Sequence, residues 1–280
     1  MYKGIHQIKI DFNVTEKIKR YVYVYVIEAK CCYLIDSGVY GCEKQIISYL
    51  ESIGRKAADV KKIFLTHAHP DHIGSAAWFR ENTGCEIYAG EGERRWIENI
   101  DLQFAERPIP NFYNLAGLST KVDHVVKDGD TVMLEPGLEI SVYRTAGHSA
   151  DEMSYRLEDV FFIGDTVPVR TDIPIFVNIR EVVASLQVLR RAEGIRCFCP
   201  AWDHIYSAEE MQEKIGDAEE LIKQLATLVA ESDEGQEPSE LTRLVSEKMR
   251  KPMLCENPLF ARTVDAFRKG GRTESGKERA

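Results

Sequence analysis

Residues 63–75 read Ile-Phe-Leu-Thr-His-Ala-His-Pro-Asp-His-Ile-Gly-Ser, and the chain is best read outward from them. Ile63–Leu65 is an apolar run of the kind that forms a buried strand. Ile73-Gly74-Ser75-Ala76-Ala77-Trp78-Phe79 predicts the start of a helix. Between the two, four metal-ligating side chains, His67, His69, Asp71 and His72, stand within six residues. On a strand-to-helix turn they can point at one spot. A lone histidine beside a strand is usually a satisfied structural residue. Three histidines and an aspartate packed together are not explained that way, because a cluster of buried polar groups is costly without a cation. Imidazole nitrogens with carboxylate oxygens suit zinc, and also iron or manganese.

The His-x-His-x-Asp-His pattern resembles the metallo-β-lactamase fold superfamily of hydrolases. That resemblance implies three further ligands, each at the end of a later strand. His148 follows the run Leu138–Tyr143, Asp165 follows Phe161–Ile163, and His204 follows Ile195–Cys199, in the order expected. The likeness extends from about residue 20 to residue 206. It implies an α+β fold, a four-layer αββα sandwich with the metals at one edge between the sheets. It puts His67, His69 and His148 on a first ion, and Asp71, His72 and His204 on a second, with Asp165 bridging the two. An Asp at the bridging position departs from the β-lactamases that carry Cys there, which disfavours antibiotic hydrolysis of that type. His69 departs from the diiron flavoproteins of the superfamily, which carry Glu there. Asp36, in Ile35-Asp36-Ser37-Gly38, has two readings. It caps a turn at a strand end, or, as the resemblance implies, it braces the ligand loop from behind.

The bulk properties bound the rest. The 280 residues, 44% hydrophobic and 29% charged, suit one large globular domain with an appendage. A net charge of −9 disfavours a nucleic-acid partner, whose phosphates it repels. The chain opens on no secretory signal, and Tyr21–Ile27 is too short an apolar run to span a bilayer. Together these predict a cytoplasmic protein with no membrane association. The seven Cys then read as reduced thiols, with Cys31, Cys32, Cys197 and Cys199 as small buried strand residues.

Along the chain, Gln7–Phe12, Arg20–Glu28 and Cys31–Ile35 predict strands, and Glu43–Ser52 a helix. Cys85–Ala89 is a strand, and one helix is expected from Gly90 to Phe104. Residues 105–118 hold Pro108, Pro110 and Gly117 without periodicity and predict a loop, either a lid or a surface insertion. Strands follow over Val122–Val126, Thr131–Leu134, Leu138–Tyr143, Met153–Leu157, Val160–Ile163 and Ile195–Cys199, with a helix over Asn178–Ala192. Ser207-Ala208-Glu209-Glu210 is a capping box opening a long helix. The domain reading is a hydrolase domain over 1–231, a C-terminal helical extension over 232–268, and a disordered tail over 269–280. The extension can pack on the sandwich or mediate a homodimer.

The chemistry the resemblance implies is that of a dinuclear metal-dependent hydrolase, with two divalent ions, zinc foremost. A hydroxide held between them attacks an ester, thioester or lactone of a small molecule, as in glyoxalase II and lactonase relatives, and Asp71 shuttles a proton to the leaving group. A phosphodiesterase or RNA nuclease of the same superfamily is the alternative. A non-enzymatic metal-binding interaction protein is the third reading. Tyr40, Tyr113, Arg170, Trp202 and Tyr206 are candidate substrate contacts near strand ends or loops. Arg170 or Arg180 could pair with an anionic group, or be a solvated surface charge.

Overall fold

The protein is described here by a computed structural model covering residues 4–275. In chain order the elements begin β1 (Ile5–Asn13), β2 (Lys19–Glu28), β3 (Cys32–Ile35), α1 (Glu43–Ser52) and β4 (Val60–Phe64). They continue α2 (Pro70–Ile73), α3 (Ala76–Thr83), β5 (Glu86–Gly90), α4 (Glu91–Glu98), α5 (Ile100–Glu106) and α6 (Phe112–Ala116). Next come β6 (His124–Val126), β7 (Thr131–Glu135), β8 (Leu138–Arg144), β9 (Met153–Leu157), β10 (Val160–Gly164), α7 (Ile179–Arg190) and β11 (Cys197–Pro200). The pair Tyr206–Ser207 then leads into α8 (Ala208–Ser232), α9 (Pro238–Lys248) and α10 (Pro258–Ser275).

The chain forms two compact units. The first takes the chain up to Arg144, Asp151–Gly164 and Cys197–Ile205; the second takes Thr145–Ala150, Asp165–Arg196 and the chain from Tyr206 on. Both sheets lie almost wholly in the first unit. One runs β1-β2-β3-β4-β5-β6, antiparallel through β3 and parallel beyond it. The other runs β11-β10-β9-β8-β7, with only the β10–β11 pair parallel. Parallel neighbours need crossover segments, which here carry the helices.

The alternation along β2 shows how the layers form. Val22, Val24 and Val26 face α1 and α3, packing with Ile46, Leu50 and Phe79. Tyr25 and Ile27, one residue out of step, face the second sheet with Phe64, Tyr155 and Phe162. Period-two patterning thus lets one strand serve two cores at once. Tyr25 carries its hydroxyl into the inter-sheet core and satisfies it by donating to Pro200 O at 2.7 Å.

In the second unit, Asn178 caps α7 by accepting from the N–H groups of Arg180 and Glu181. The expected capping box is present at α8, where the Ser207 and Glu210 side chains satisfy each other's backbone N–H groups. Asn257 Oδ1 likewise accepts from Leu259 N and Phe260 N ahead of α10.

Several expectations are corrected. The helix expected from Gly90 to Phe104 is two helices, because Asn99 leaves helical dihedrals and its side chain accepts from Leu102 N to cap α5. The expected loop over 105–118 contains α6. Of the expected tail over 269–280, residues through Ser275 continue α10, and 276–280 lie outside the described residues. Among the described residues, no helix is long and apolar enough to cross a membrane.

Candidate metal centre

The carboxyl ends of β3 and β4, in the first unit, lead into the histidine cluster. Asp36 follows β3, and Thr66 and His67 follow β4. Pro70 occupies the first position of α2, so the helix starts directly after His69 and places Asp71 and His72 in its opening turn. The His67 ring centroid lies 4.3 Å from that of His69 and 4.0 Å from that of His72. All three imidazoles are buried.

Asp36 reaches across to this cluster, bonding residues of the His67–His72 turn. The residue is buried, with φ at 60°. Its carboxylate accepts from Thr66 N at 2.8 Å, from Thr66 Oγ1 at 2.9 Å and from His72 Nδ1 at 2.8 Å. Because the Thr66 hydroxyl spends its proton on Asp36, its oxygen accepts from His67 Nδ1 at 3.0 Å. One carboxylate therefore fixes two tautomers, directly for His72 and through Thr66 for His67. In each ring Nε2 is left as the basic nitrogen, which is the ligand form. Thr66 was missed by the sequence reading; its only mark is its place immediately before His67.

The residues fit a cation. Two protonated imidazoles about 4 Å apart would repel by about 4 kcal/mol at an effective dielectric of 20. A lone-pair donor set around a positive ion removes that conflict, so the histidine cluster could hold a metal ion.

The turn is held from behind by groups with no sequence signature. Tyr155 OH donates to Leu65 O at 2.7 Å, and burial pushes this phenol well above its ordinary pKa. Ser37 N donates to His72 O at 2.7 Å. Gly74 passes so close to α6 that a Cβ there would lie 2.4 Å from Leu115 O. α6 thus backs the histidine-bearing turn.

In the second unit His148 and Asp165 meet, with His148 Nε2 3.4 Å from Asp165 Oδ2. Gly147 precedes His148 at φ 130°, and a Cβ there would strike Val182 N at 2.4 Å. That close approach seats the His148 segment on α7.

The other expected site residues stand differently. Asp71 is half-buried, and His204 is 52% exposed with Nδ1 3.0 Å from Oδ1 of its neighbour Asp203. Tyr206 is buried under Lys214, whose ammonium lies 5.1 Å from the ring, so it is a core residue and not a rim residue. Arg170 pairs with Glu220 at 2.8 Å on the surface, as the solvated-charge reading has it. Tyr113 is exposed and donates to Asp101, which raises its phenol pKa. Tyr40 is exposed and its ring lies against Gly117. Trp202 is half-buried, 5.7 Å from Tyr21. All seven cysteines are free, and burial pushes the Cys42 thiol up to about 12.

With this geometry in view, the relationships of the chain become informative. Residues 18–193, more than half of the chain, match the metallo-beta-lactamase superfamily. The chain belongs to that superfamily. A hydroxyacylglutathione hydrolase of Thiobacillus denitrificans is 33% identical over 142 residues, which are 50% of this chain and 43% of the relative. The match thus spans less than half the length of that relative. "Probable metallo-hydrolase YybB" of Bacillus subtilis is 27% identical over 163 residues, 57% of this chain and 68% of the relative. A crystal structure of a metallo-beta-lactamase family protein from Thermus thermophilus superposes with a TM-score of 0.74 at 20% identity, over 96% of this chain and 94% of that one. This last similarity shows that the α+β sandwich is the superfamily's fold. The fold implies divalent metal ions.

Proposed function

We propose that this superfamily member is a metal-dependent hydrolase that cleaves an ester, thioester or lactone bond in a small molecule. The observation that carries the reading is the buried set of His67, His69 and His72 with two tautomers fixed by Asp36 and Thr66. A merely structural histidine cluster has no need of basic nitrogens held in one orientation.

In this reading, which follows the superfamily pattern, His67, His69 and His148 would hold one ion and Asp71, His72 and His204 a second, with Asp165 contributing to both. Zinc suits the imidazole-rich donors. When bound, such ions supply Lewis acidity, acidifying water and polarising a carbonyl. The chain's own residues do the rest. Asp36 and Thr66 keep the imidazoles in ligand form. Asp71, half-buried, can exchange a proton with solvent and pass it to the leaving group. Tyr40, Tyr113 and Trp202 offer surfaces for the substrate's apolar part.

The thioester is the first bond to test, because an acylglutathione is a thioester and a relative named for its hydrolysis matches half of this chain. The test is a panel of thioester, ester, lactone and phosphodiester substrates, with metal content measured in parallel. Metal-dependent cleavage of a thioester or lactone is expected. Full turnover by metal-depleted protein, or cleavage of phosphodiesters alone, would overturn the proposal.

A further inference from the structure

Glu93 lies in the first turn of α4 and is only 1% exposed. A buried carboxylate is costly unless its oxygens are well bonded. Here Oε2 accepts from Ala68 N at 3.0 Å and Oε1 accepts from Asp151 N at 2.8 Å. Ala68 stands between His67 and His69. Asp151 is where the chain re-enters the first unit, directly after the segment Thr145–Ala150 that carries His148. The acceptance is reciprocal, since Asp151 Oδ2 takes the N–H of Gly92 at 2.9 Å. The pair is a capping box whose cap residue comes from a distant segment. Gly90 and Gly92 permit it: a Cβ on either would lie 2.5 Å from Asp151 O or 2.6 Å from Asp151 Cβ.

The other side of the same residue is held as well. Gln103, fully buried on α5, donates from Nε2 to Ala68 O at 2.5 Å. Both peptide groups of Ala68 are therefore fixed by side chains from α4 and α5. In an extended His-x-His segment, the dihedrals of the middle residue decide whether the two rings aim at one point. Rotation at Ala68 would swing His67 and His69 apart.

We propose that Glu93 is a positioning residue for the metal centre: with Asp151 it forms a strut that fixes Ala68, between two ligands, to the point where the chain returns from a third. The inference rests on the metal-binding reading above. The strut acts through two backbone N–H groups and touches no ion. Glu93→Gln keeps the shape but turns an amide donor toward one of those N–H groups.

Zinc affinity is measured by competition with a chromophoric chelator, and the visible absorption of the cobalt-substituted protein reports ligand geometry. Glu93→Gln is expected to bind zinc about 10–100-fold more weakly, the range for groups that orient ligands, and to shift the cobalt bands. Glu91→Gln, an exposed carboxylate in the same helical turn, should change neither. Zinc affinity within twofold of the parent together with unchanged cobalt bands in Glu93→Gln would overturn the inference. If Glu93→Gln does not fold, Glu93→Asp, whose shorter side chain draws the carboxylate back from both N–H groups, decides by the same two readouts. His67→Ala separates the two levels. Zinc bound by it as by the parent defeats the metal reading itself, whereas zinc lost from it but retained by Glu93→Gln defeats only the strut.

Discussion

Two stretches of this chain end in histidines that the pattern marks as ligands, and the structure treats them differently. In Thr66–His72 the rings are buried and the Nδ1 protons of His67 and His72 lead to Asp36, a carboxylate just past the end of another strand. In Trp202–His204 the ring is half-exposed, its Nδ1 meets the adjacent Asp203, and Asp203 itself holds φ at 66°. A ring tied to a distant buried carboxylate has its direction set before any ligand arrives. A ring tied to its own neighbour moves with its own loop. Preorganisation of this kind shows in affinity, because the ordering cost is met during folding.

Substitution can break that contrast. His67→Ala should have the largest effect, removing bound metal and lowering kcat/KM on the order of 10³-fold, about 4 kcal/mol of transition-state stabilisation. His204→Ala should cost clearly less in metal content measured on the same preparation. Equal losses would show that exposure and bracing do not predict a ligand's weight here. Asp36→Asn should come next. It keeps the volume but sets an amide donor among three donors, and zinc affinity should fall about 10–100-fold. Thr66→Val should follow, with roughly a tenfold loss, because only the link from His67 to Asp36 is cut while His72 keeps its own bond. If Thr66→Val were as damaging as Asp36→Asn, the hydroxyl would matter for more than the His67 tautomer.

The same contrast explains what the sequence could tell. The histidine cluster after β4 was legible because a strand end and a Pro-started helix are local patterns, and Tyr21–Val26 is legible as a strand because every residue in it is a β-former. Asp36 was half-legible: its place after β3 admitted both a cap and a brace, and its bonds to Thr66 and His72 appear only in the folded chain. Glu93 and Gln103 were not legible, since their partners lie 25 and 35 residues away and neither sits in a motif. The break at Asn99 was missed because apolar spacing continues across it, while the side-chain cap that splits the helices leaves no periodic trace. Tyr206 was misplaced because an aromatic next to a ligand looks the same on the rim as in the core.

The smallest effect concerns the support behind the first stretch. α3 follows the ligand turn, and its Arg80 grips Asp123 through Nε at 3.0 Å and Nη2 at 2.9 Å, while Asp123 Oδ2 also accepts from Ile87 N on β5. The guanidinium holds the Asp123 carboxyl down at about 2, below its ordinary 3.8. A depressed acid contributes stability that is complete above the unfolded value and lost as pH falls through the folded one. The window is therefore pH 4 to 2, and the contribution is at most about 2 kcal/mol. Asp123→Asn should lower the melting temperature at pH 6 and have little further effect near pH 2, where the parent has lost the same interaction. Near neutral pH zinc affinity should stay unchanged, because this pair supports α3 and β5 and not the rings. A fall in zinc affinity comparable to that of Asp36→Asn would mean that the orientation of the rings depends on the scaffold as a whole, and the local account of their bracing would have to be given up.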